Sequence, residues 1–208
     1  MDILTGSLAI FSLFLIAAMS PGPDLLIVLR NSLGAGRKAG IHTAMGVALG
    51  IYVHVAYSMA GIAIIISQSI LLFNILKYAG ACYLLYLAYK ALRSKGWSIH
   101  SEKAQNPDKS FYACFYQGFI TNALNPKATL FFLALFTQFI TPETSLAVQF
   151  WYGTICSVTV FGWFSVVALC LTHAPIRARL AKVSIWIDRV TGLAFIALAA
   201  RIATAKAG

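Results

Sequence analysis

A proline-rich interruption splits an apolar segment near the start of this chain. Residues 20–24 read Ser-Pro-Gly-Pro-Asp, and they follow a run from Ile3 to Met19 that contains no charged residue. Two prolines and a glycine break the backbone hydrogen-bond ladder of a helix. In hydrocarbon, each freed backbone group costs on the order of several kcal/mol unless protein or water satisfies it, and the carboxylate of Asp24 adds a further cost. The sequence therefore predicts a polar cavity at this break.

The composition places the chain in a membrane. It has 208 residues, of which 60% are hydrophobic and 11% are charged, whereas about 25% of the residues in a typical soluble domain are charged. We therefore predict an all-α integral membrane protein with a single membrane domain, residues 1–208. The net charge of +10 comes from loops between apolar segments, so it does not indicate a nucleic-acid partner.

The four cysteines do not indicate a metal or redox site. All lie inside apolar segments, and none forms a Cys-x-x-Cys pair, so we predict neither a metal site nor a cofactor. They are Cys82, Cys114, Cys156 and Cys170.

Six segments are long and apolar enough to span a bilayer, which requires about 20 residues each. We predict transmembrane helices over about 3–30 (broken at 20–24), 41–66, 69–91, 112–140 (broken near 125), 146–172 and 184–204.

The distribution of basic residues predicts the orientation. Lysines and arginines cluster in the first, third and fifth loops and are absent from the second and fourth. Because positive loops stay in the cytoplasm, both termini are predicted to be periplasmic. The polar segment of about 93–111 is then a cytoplasmic linker. Aromatic residues near span ends are predicted to lie at the membrane interfaces: Trp97, Tyr112, Trp151, Tyr152 and Trp186.

The two halves of the chain resemble each other weakly. Lys77-x-x-Gly80-x-x-Tyr83 in the third span has the spacing of Arg189-x-x-Gly192-x-x-Phe195 in the sixth. A repeat of three spans has an odd number of crossings, so its copies must insert in opposite directions, as in many transporters. We therefore predict two inverted three-helix repeats, about 1–92 and 112–208, with broken first and fourth helices.

The proline breaks of the two repeats align in two ways. If Pro21 matches Pro126, Gly22 is equivalent to Lys127; if Pro23 matches Pro126, Asp24 is equivalent to Lys127. The second alignment places an acid and a base near a twofold axis, where they could pair.

Nine residues around these breaks are candidates for a substrate or proton site: Pro21, Gly22, Pro23, Asp24, Asn122, Asn125, Pro126, Lys127 and Asp188. Asp24 would carry a proton or hold an amino group, or it is only a first-turn acid that restarts the helix. Lys127 would balance Asp24 or bind a carboxylate, or it extends to an interface. The prolines and Gly22 would shape the cavity or only kink the chain.

Three of these nine candidates also have ordinary structural alternatives. Asn122 and Asn125 would contact substrate or only cap backbone groups at the break. Asp188 would be a second proton-handling group at a gate, a surface partner of Arg189 or Lys182, or a helix-start acid.

His54 shares a helical stripe with Gly46, Gly50 and Gly61. Small residues at this spacing indicate close helix packing, so we interpret His54 as a hydrogen-bonded packing histidine. The stripe would serve either packing within the chain or a homodimer.

Several motifs, in order along nearly the whole chain, resemble the lysine exporter superfamily, and within it the homoserine/threonine resistance exporters. Besides residues 20–24 they are Gly36–Gly40, Asn125–Ala128, Phe131–Ala134, Gln138–Ile140 and Trp186–Arg189 followed by Gly192. The resemblance implies a bacterial inner-membrane exporter of amino acids that is driven by the proton gradient.

The prediction from residues and resemblance together is a secondary transporter and not an enzyme. It would move a small amino acid, homoserine- or threonine-like or otherwise neutral, from cytoplasm to periplasm by proton antiport. The alternatives are a membrane thiol oxidoreductase, which would require a cysteine pair near the breaks, and a non-transporting membrane scaffold, which leaves the charges of Asp24 and Lys127 unexplained.

Overall fold

The computed structural model describes residues 2–68, 70–97, 109–140, 144–171 and 174–204, and within them the chain is entirely helical apart from its connections. The described residues form seven helices: α1 (Ile3–Met19), α2 (Pro23–Gln68), α3 (Ile70–Leu92), α4 (Phe111–Ala123), α5 (Pro126–Phe139), α6 (Leu146–Leu171) and α7 (Ala174–Thr204). The predicted all-helical class is thus confirmed.

Three helical segments in the described part of the chain are long and apolar enough to cross a membrane, namely Pro23–Ala60, Leu146–Cys170 and Lys182–Thr204. Helices α4 and α5, which meet at a 55° bend, form a fourth candidate if they are counted as one broken span. These helices make the chain a multi-pass membrane protein, while the six-span inverted repeat remains a prediction.

Both predicted breaks are present, but the first two spans are joined differently from the prediction. Helix α1 ends at Met19 and α2 begins at Pro23, yet α2 then continues through the expected loop and is only kinked, at Gly36. The φ of Gly36 is +83°, a value that a residue without a Cβ adopts at little cost. The chain can therefore turn there without a loop.

Helix α7 also differs from the prediction, because it begins at Ala174 and not near residue 184. The additional turns carry Arg179 and Lys182, both exposed. Hydropathy detects only the part of a helix that is buried in lipid, and it does not detect a polar extension of the same helix.

The core centres on α5, the helix that follows the second break. Phe132, Leu135 and Phe136 are fully buried. The ring of Phe14 on α1 packs edge-on against Phe132, with 5.2 Å between the ring centroids. The second break therefore lies beside a cluster of fully buried apolar side chains.

The glycine stripe of α2 packs against α4. A Cβ on Gly46 would collide with the carbonyl oxygen of Phe115, and one on Gly50 would lie 2.8 Å from Oδ1 of Asn122. Gly46 and Gly50 thus serve packing within the chain, the first of the two alternatives left open by the sequence.

Three of the five aromatic residues that were predicted to be interfacial are exposed, as that prediction requires. Tyr112, Trp151 and Trp186 are exposed, but Trp97 and Tyr152 are buried. Trp97 is held in its buried position by a hydrogen bond that its indole N–H donates to Asp188. The middle of the predicted linker, residues 98–108, and the side chain of Lys77 lie outside the described part of the structure.

Candidate functional site

The two breaks restart their helices in the same way. Pro23 is the first residue of α2 and Pro126 the first of α5, and each is followed by a charged residue, Asp24 or Lys127. Proline is favoured at the first position of a helix because its missing N–H would be unsatisfied there anyway. This shared construction favours the alignment of Pro23 with Pro126.

The carboxylate of Asp24 accepts hydrogen bonds from residues at the second break. The side-chain amides of Asn122 and Asn125 each donate a hydrogen bond of 2.9 Å to Oδ2 of Asp24. The other carboxylate oxygen, Oδ1, is buried and has no hydrogen-bond partner. Because buried polar atoms are almost always paired in native structures, Oδ1 is an acceptor available to a ligand.

The ammonium of Lys127 donates hydrogen bonds to backbone carbonyls at the first break. Its Nζ donates to the carbonyl oxygens of Ser20 at 2.8 Å, Ala17 at 3.2 Å and Pro21 at 3.5 Å. The last carbonyls of a helix have no partner within the helix, so the ammonium of Lys127 satisfies the end of α1. In the described structure Lys127 makes no direct ion pair with Asp24, contrary to the pairing that the sequence left open, although its charge lies within electrostatic range of that carboxylate.

A pocket lies between the breaks. Its polar end contains Ser20, Gly22, Asp24, Asn122, Asn125 and Lys127, and its remaining wall is apolar and comprises Phe14, Ala17, Ala18, Leu25, Ile51, Ala128, Phe131, Val160 and Phe164. Five of the nine predicted site residues thus line one pocket. Pro21, Pro23 and Pro126 do not line it and are exposed, so they shape the backbone around it.

His54 stabilises the second break through a hydrogen bond to its backbone. Its Nε2 donates to the backbone carbonyl of Asn122 at 2.9 Å, and its Nδ1 lies 2.5 Å from the hydroxyl of Tyr57. Since a carbonyl only accepts, Nε2 carries the hydrogen, and the neutral ring then accepts from Tyr57 at Nδ1. Asn122 is thereby held through its side chain by Asp24 and through its backbone by His54. The interpretation of His54 as a packing histidine is confirmed, but its contact with the break was not predicted.

Asp188 forms a separate buried cluster. It is fully buried on α7, where Oδ1 accepts from the indole of Trp97 at 3.2 Å and Oδ2 has no hydrogen-bond partner. The backbone N–H of Trp97 donates to the hydroxyl of Ser184 at 2.8 Å, which fixes the start of the linker on α7. Asp188 is neither a surface residue nor a helix-start acid, so both of those interpretations were wrong. It does not line the pocket, but it lies within electrostatic range of Lys127.

Comparison with known proteins gives a consistent result over most of the chain. Residues 15–206 match the model of the LysE type translocator family. The chain is 37% identical to the leucine efflux protein of Salmonella choleraesuis (strain SC-B67) over 88% of each chain, and equally to that of Salmonella typhi. It is 29% identical to the uncharacterized membrane protein YrhP of Bacillus subtilis (strain 168), over 87% of this chain and 91% of that one. No solved structure matches.

Proposed function

We propose that this chain, which belongs to the LysE type translocator family and is therefore an amino-acid efflux transporter and not an enzyme, exports a neutral amino acid with an apolar side chain in exchange for protons. The observation that carries this proposal is the position of Asp24. It lies at the polar end of an otherwise apolar pocket, with one carboxylate oxygen unpaired.

The two charges of an amino acid match the polar end of the pocket. The substrate ammonium binds Oδ1 of Asp24, where a charge-assisted hydrogen bond replaces a missing one. The substrate carboxylate faces the first turn of α5, whose residues Lys127 and Ala128 line the pocket. The N-terminal end of a helix carries partial positive charge and favours an anion. Helix ends of this kind bind substrate carboxylates in transporters with broken helices.

The apolar wall selects the side chain. Leu25, Ile51, Phe131 and Val160 surround the space beyond the charged groups. A leucine-like side chain buries apolar area there, whereas the hydroxyl of threonine or homoserine would lose its hydrogen bonds to water without a replacement. The leucine efflux proteins that share 37% identity with this chain support the same choice over a homoserine- or threonine-like substrate.

Antiport follows from competition for a single carboxylate. If Asp24 binds either a proton or the substrate ammonium, each ligand weakens the binding of the other, and alternating access converts this exclusion into exchange. We assign Asp188 as a second proton-binding group, because it is buried, has one unpaired oxygen and lies within electrostatic range of Lys127.

The proposed architecture is six spans in two inverted repeats in the bacterial inner membrane, with periplasmic termini. The packing of α2 on α6 and of α3 on α7 supports it, since each pair joins equivalent helices of the two repeats. The matched glycines support it as well. A Cβ on Gly80 would lie 3.0 Å from Ala134, and one on Gly192 would lie 2.7 Å from Leu92, so both permit close helix contacts.

Everted membrane vesicles test direction, coupling and substrate together. Their interior corresponds to the periplasm, so an acid interior should drive accumulation of labelled leucine in vesicles that contain the protein. Vesicles from cells without the protein, and vesicles treated with an uncoupler, are the controls. We expect leucine to accumulate at least about tenfold faster than threonine, homoserine or lysine, the discrimination that about 1.4 kcal/mol of apolar contact provides.

Two outcomes would contradict the proposal. Equal accumulation with and without a proton gradient would exclude antiport. Faster accumulation of threonine or lysine than of leucine would exclude the apolar wall as the determinant of specificity.

A further inference from the structure

A second pocket lies at the kink of α2, far along the helix from Asp24. It is lined by Ala35, Gly36, Arg37, Lys38, Ala39, His42 and Lys109. Among the described residues of this lining, three side chains are cationic, a fourth is an imidazole and none is a carboxylate. A concave surface with this lining favours an anion.

The backbone at the kink adds to the positive potential. Gly36 leaves helical geometry, and the helical segment that follows begins with Arg37 and Lys38. The start of a helical segment carries partial positive charge. Two flexible cations and the start of a helical segment therefore all favour an anionic ligand in this pocket.

Lys109 is fixed in place beside these groups. Its Nζ donates to Oδ1 of Asn31 at 2.8 Å and to Oε1 of Gln117 at 3.0 Å, and Asn31 in turn donates to the hydroxyl of Thr43 at 2.8 Å. An ammonium has three hydrogens, so one remains for a ligand. The cation is held in position by neutral partners, which do not cancel its charge.

His42 has an unpaired ring nitrogen in the same pocket. Its Nδ1 is buried and has no hydrogen-bond partner, while its ring packs edge-on against Phe111 with 4.8 Å between the centroids. An unpaired buried ring nitrogen on the wall of a cationic pocket lacks the partner that a ligand oxygen would supply.

Tight packing separates this pocket from the pocket between the breaks. A Cβ on Gly118 of α4 would collide with the backbone carbonyl of Thr43 on α2, and one on Gly46 would collide with that of Phe115. With the helices this close, a bound anion remains at the surface of the molecule and does not pass toward Asp24.

We infer that this pocket binds the phosphate group of an anionic phospholipid. The exposed rings of Phe111 and Tyr112 place it at the level of the lipid headgroups, because aromatic residues of this kind concentrate at membrane–water interfaces. Anionic headgroups are attracted by clusters of lysine and arginine at that level. Neither the transported substrate nor the proton is part of this assignment.

Native mass spectrometry of the delipidated, detergent-solubilised protein tests it. The probes are phosphatidylglycerol, phosphatidylcholine with the same acyl chains, and inorganic phosphate. We expect the first phosphatidylglycerol to bind at least about tenfold more tightly than phosphatidylcholine, because two charge-assisted hydrogen bonds to the lipid provide at least the binding free energy that this factor requires. The double variant Arg37→Gln/Lys38→Gln should lose this preference. The matched variant Arg179→Gln/Lys182→Gln, which removes the same charge from exposed positions on α7, should retain it.

Three results would overturn the assignment: an unchanged preference in Arg37→Gln/Lys38→Gln, an equal loss in Arg179→Gln/Lys182→Gln, or displacement of the lipid by an equal concentration of inorganic phosphate. If the double variant is not stably produced, Lys38→Gln alone, at an exposed position, should weaken the preference severalfold, and an unchanged preference in it would equally overturn the assignment.

Discussion

The two helix breaks share one construction but treat their charges differently. At the second break, the ammonium of Lys127 donates to three carbonyl oxygens of the first. At the first break, the carboxylate of Asp24 accepts two amides through one oxygen and keeps the other oxygen unpaired. The base therefore holds the two breaks together, while the acid retains capacity for a ligand.

The difference follows from the polarity of the helix ends. Helix α1 ends at the first break and presents carbonyls, which require a donor. Helix α5 begins at the second break and presents N–H groups, one of which is already capped by Oδ1 of Asn125. The amide nitrogen of the same Asn125 side chain is then free to donate to Asp24. One asparagine thus completes the helix start and orients the acid.

Replacement of the free acid should have the largest effect. Asp24→Asn preserves the shape of the side chain but removes its charge, so it removes both the ammonium contact and the proton-binding group. We expect efflux to fall at least about 100-fold at every pH tested. The free energy lost with one strong hydrogen bond to a charged group corresponds to a rate factor of this size. Uptake of labelled leucine by everted vesicles measures it.

The matched control is Asp2→Asn, the same chemical change at an exposed site. Asp2 caps α1 by accepting from the N–H of Thr5, and asparagine caps helices equally well. Transport and membrane insertion should therefore be unchanged. Full efflux by Asp24→Asn would remove Asp24 from the mechanism.

Removal of the base should affect stability as well as transport. Lys127→Met keeps the length of the side chain but leaves the carbonyls of the first break without their donor, which costs about 1–3 kcal/mol. We expect a lower unfolding temperature and about tenfold slower efflux. Lys182→Met, at an exposed position on α7, should change neither. If Lys127→Met retained full thermal stability, Lys127 would not hold the breaks together.

The breaks were predictable from sequence, whereas the contacts between them were not. Prolines and charges within apolar runs located both breaks and five pocket residues, because these residue types are costly in hydrocarbon wherever they occur. The partners of Lys127 and the contact of His54 with Asn122 depend on how helices distant in sequence pack. The one advance signal was the glycine stripe of α2, which indicated a close helix contact at Gly50 without identifying the neighbour.

Trp97 illustrates a second limit of prediction. Its position at a span end is typical of an interfacial aromatic residue, and nothing in the local sequence indicates that a buried carboxylate on α7 accepts its indole N–H. The pattern of Asp188 and Arg189 likewise left a surface pair open as one alternative. Hydropathy describes the environment of a segment as a whole, and it does not show which face of a helix a single charge occupies.

The isolated acid, Asp188, should have a smaller effect than the acid at the break. Asp188→Asn keeps an oxygen for the indole of Trp97 but removes the proton-binding group, so we expect efflux to slow about 3- to 10-fold with an altered dependence on pH. Trp97→Phe, in contrast, leaves the carboxylate and removes its donor, which should lower the unfolding free energy by about 1 kcal/mol and shift that pH dependence without abolishing it, because a donated hydrogen bond favours the charged form of a carboxylate. Identical pH profiles for wild type and Asp188→Asn would assign Asp188 to structure alone.

The smallest effect should come from the contact between Gly22 and the side chain of Lys127. A Cβ on Gly22 would lie 3.1 Å from Cδ and 3.3 Å from Nζ of Lys127, so Gly22→Ala would displace this side chain by a few tenths of an ångström and lengthen its bonds to the carbonyls. We expect efflux to fall about 2- to 3-fold, since misplacement of this size costs less than about 1 kcal/mol. Gly34→Ala is the matched control, because a Cβ there meets nothing within 4 Å and alanine favours the helix. If the two variants changed efflux equally, contact between Gly22 and Lys127 would not limit transport.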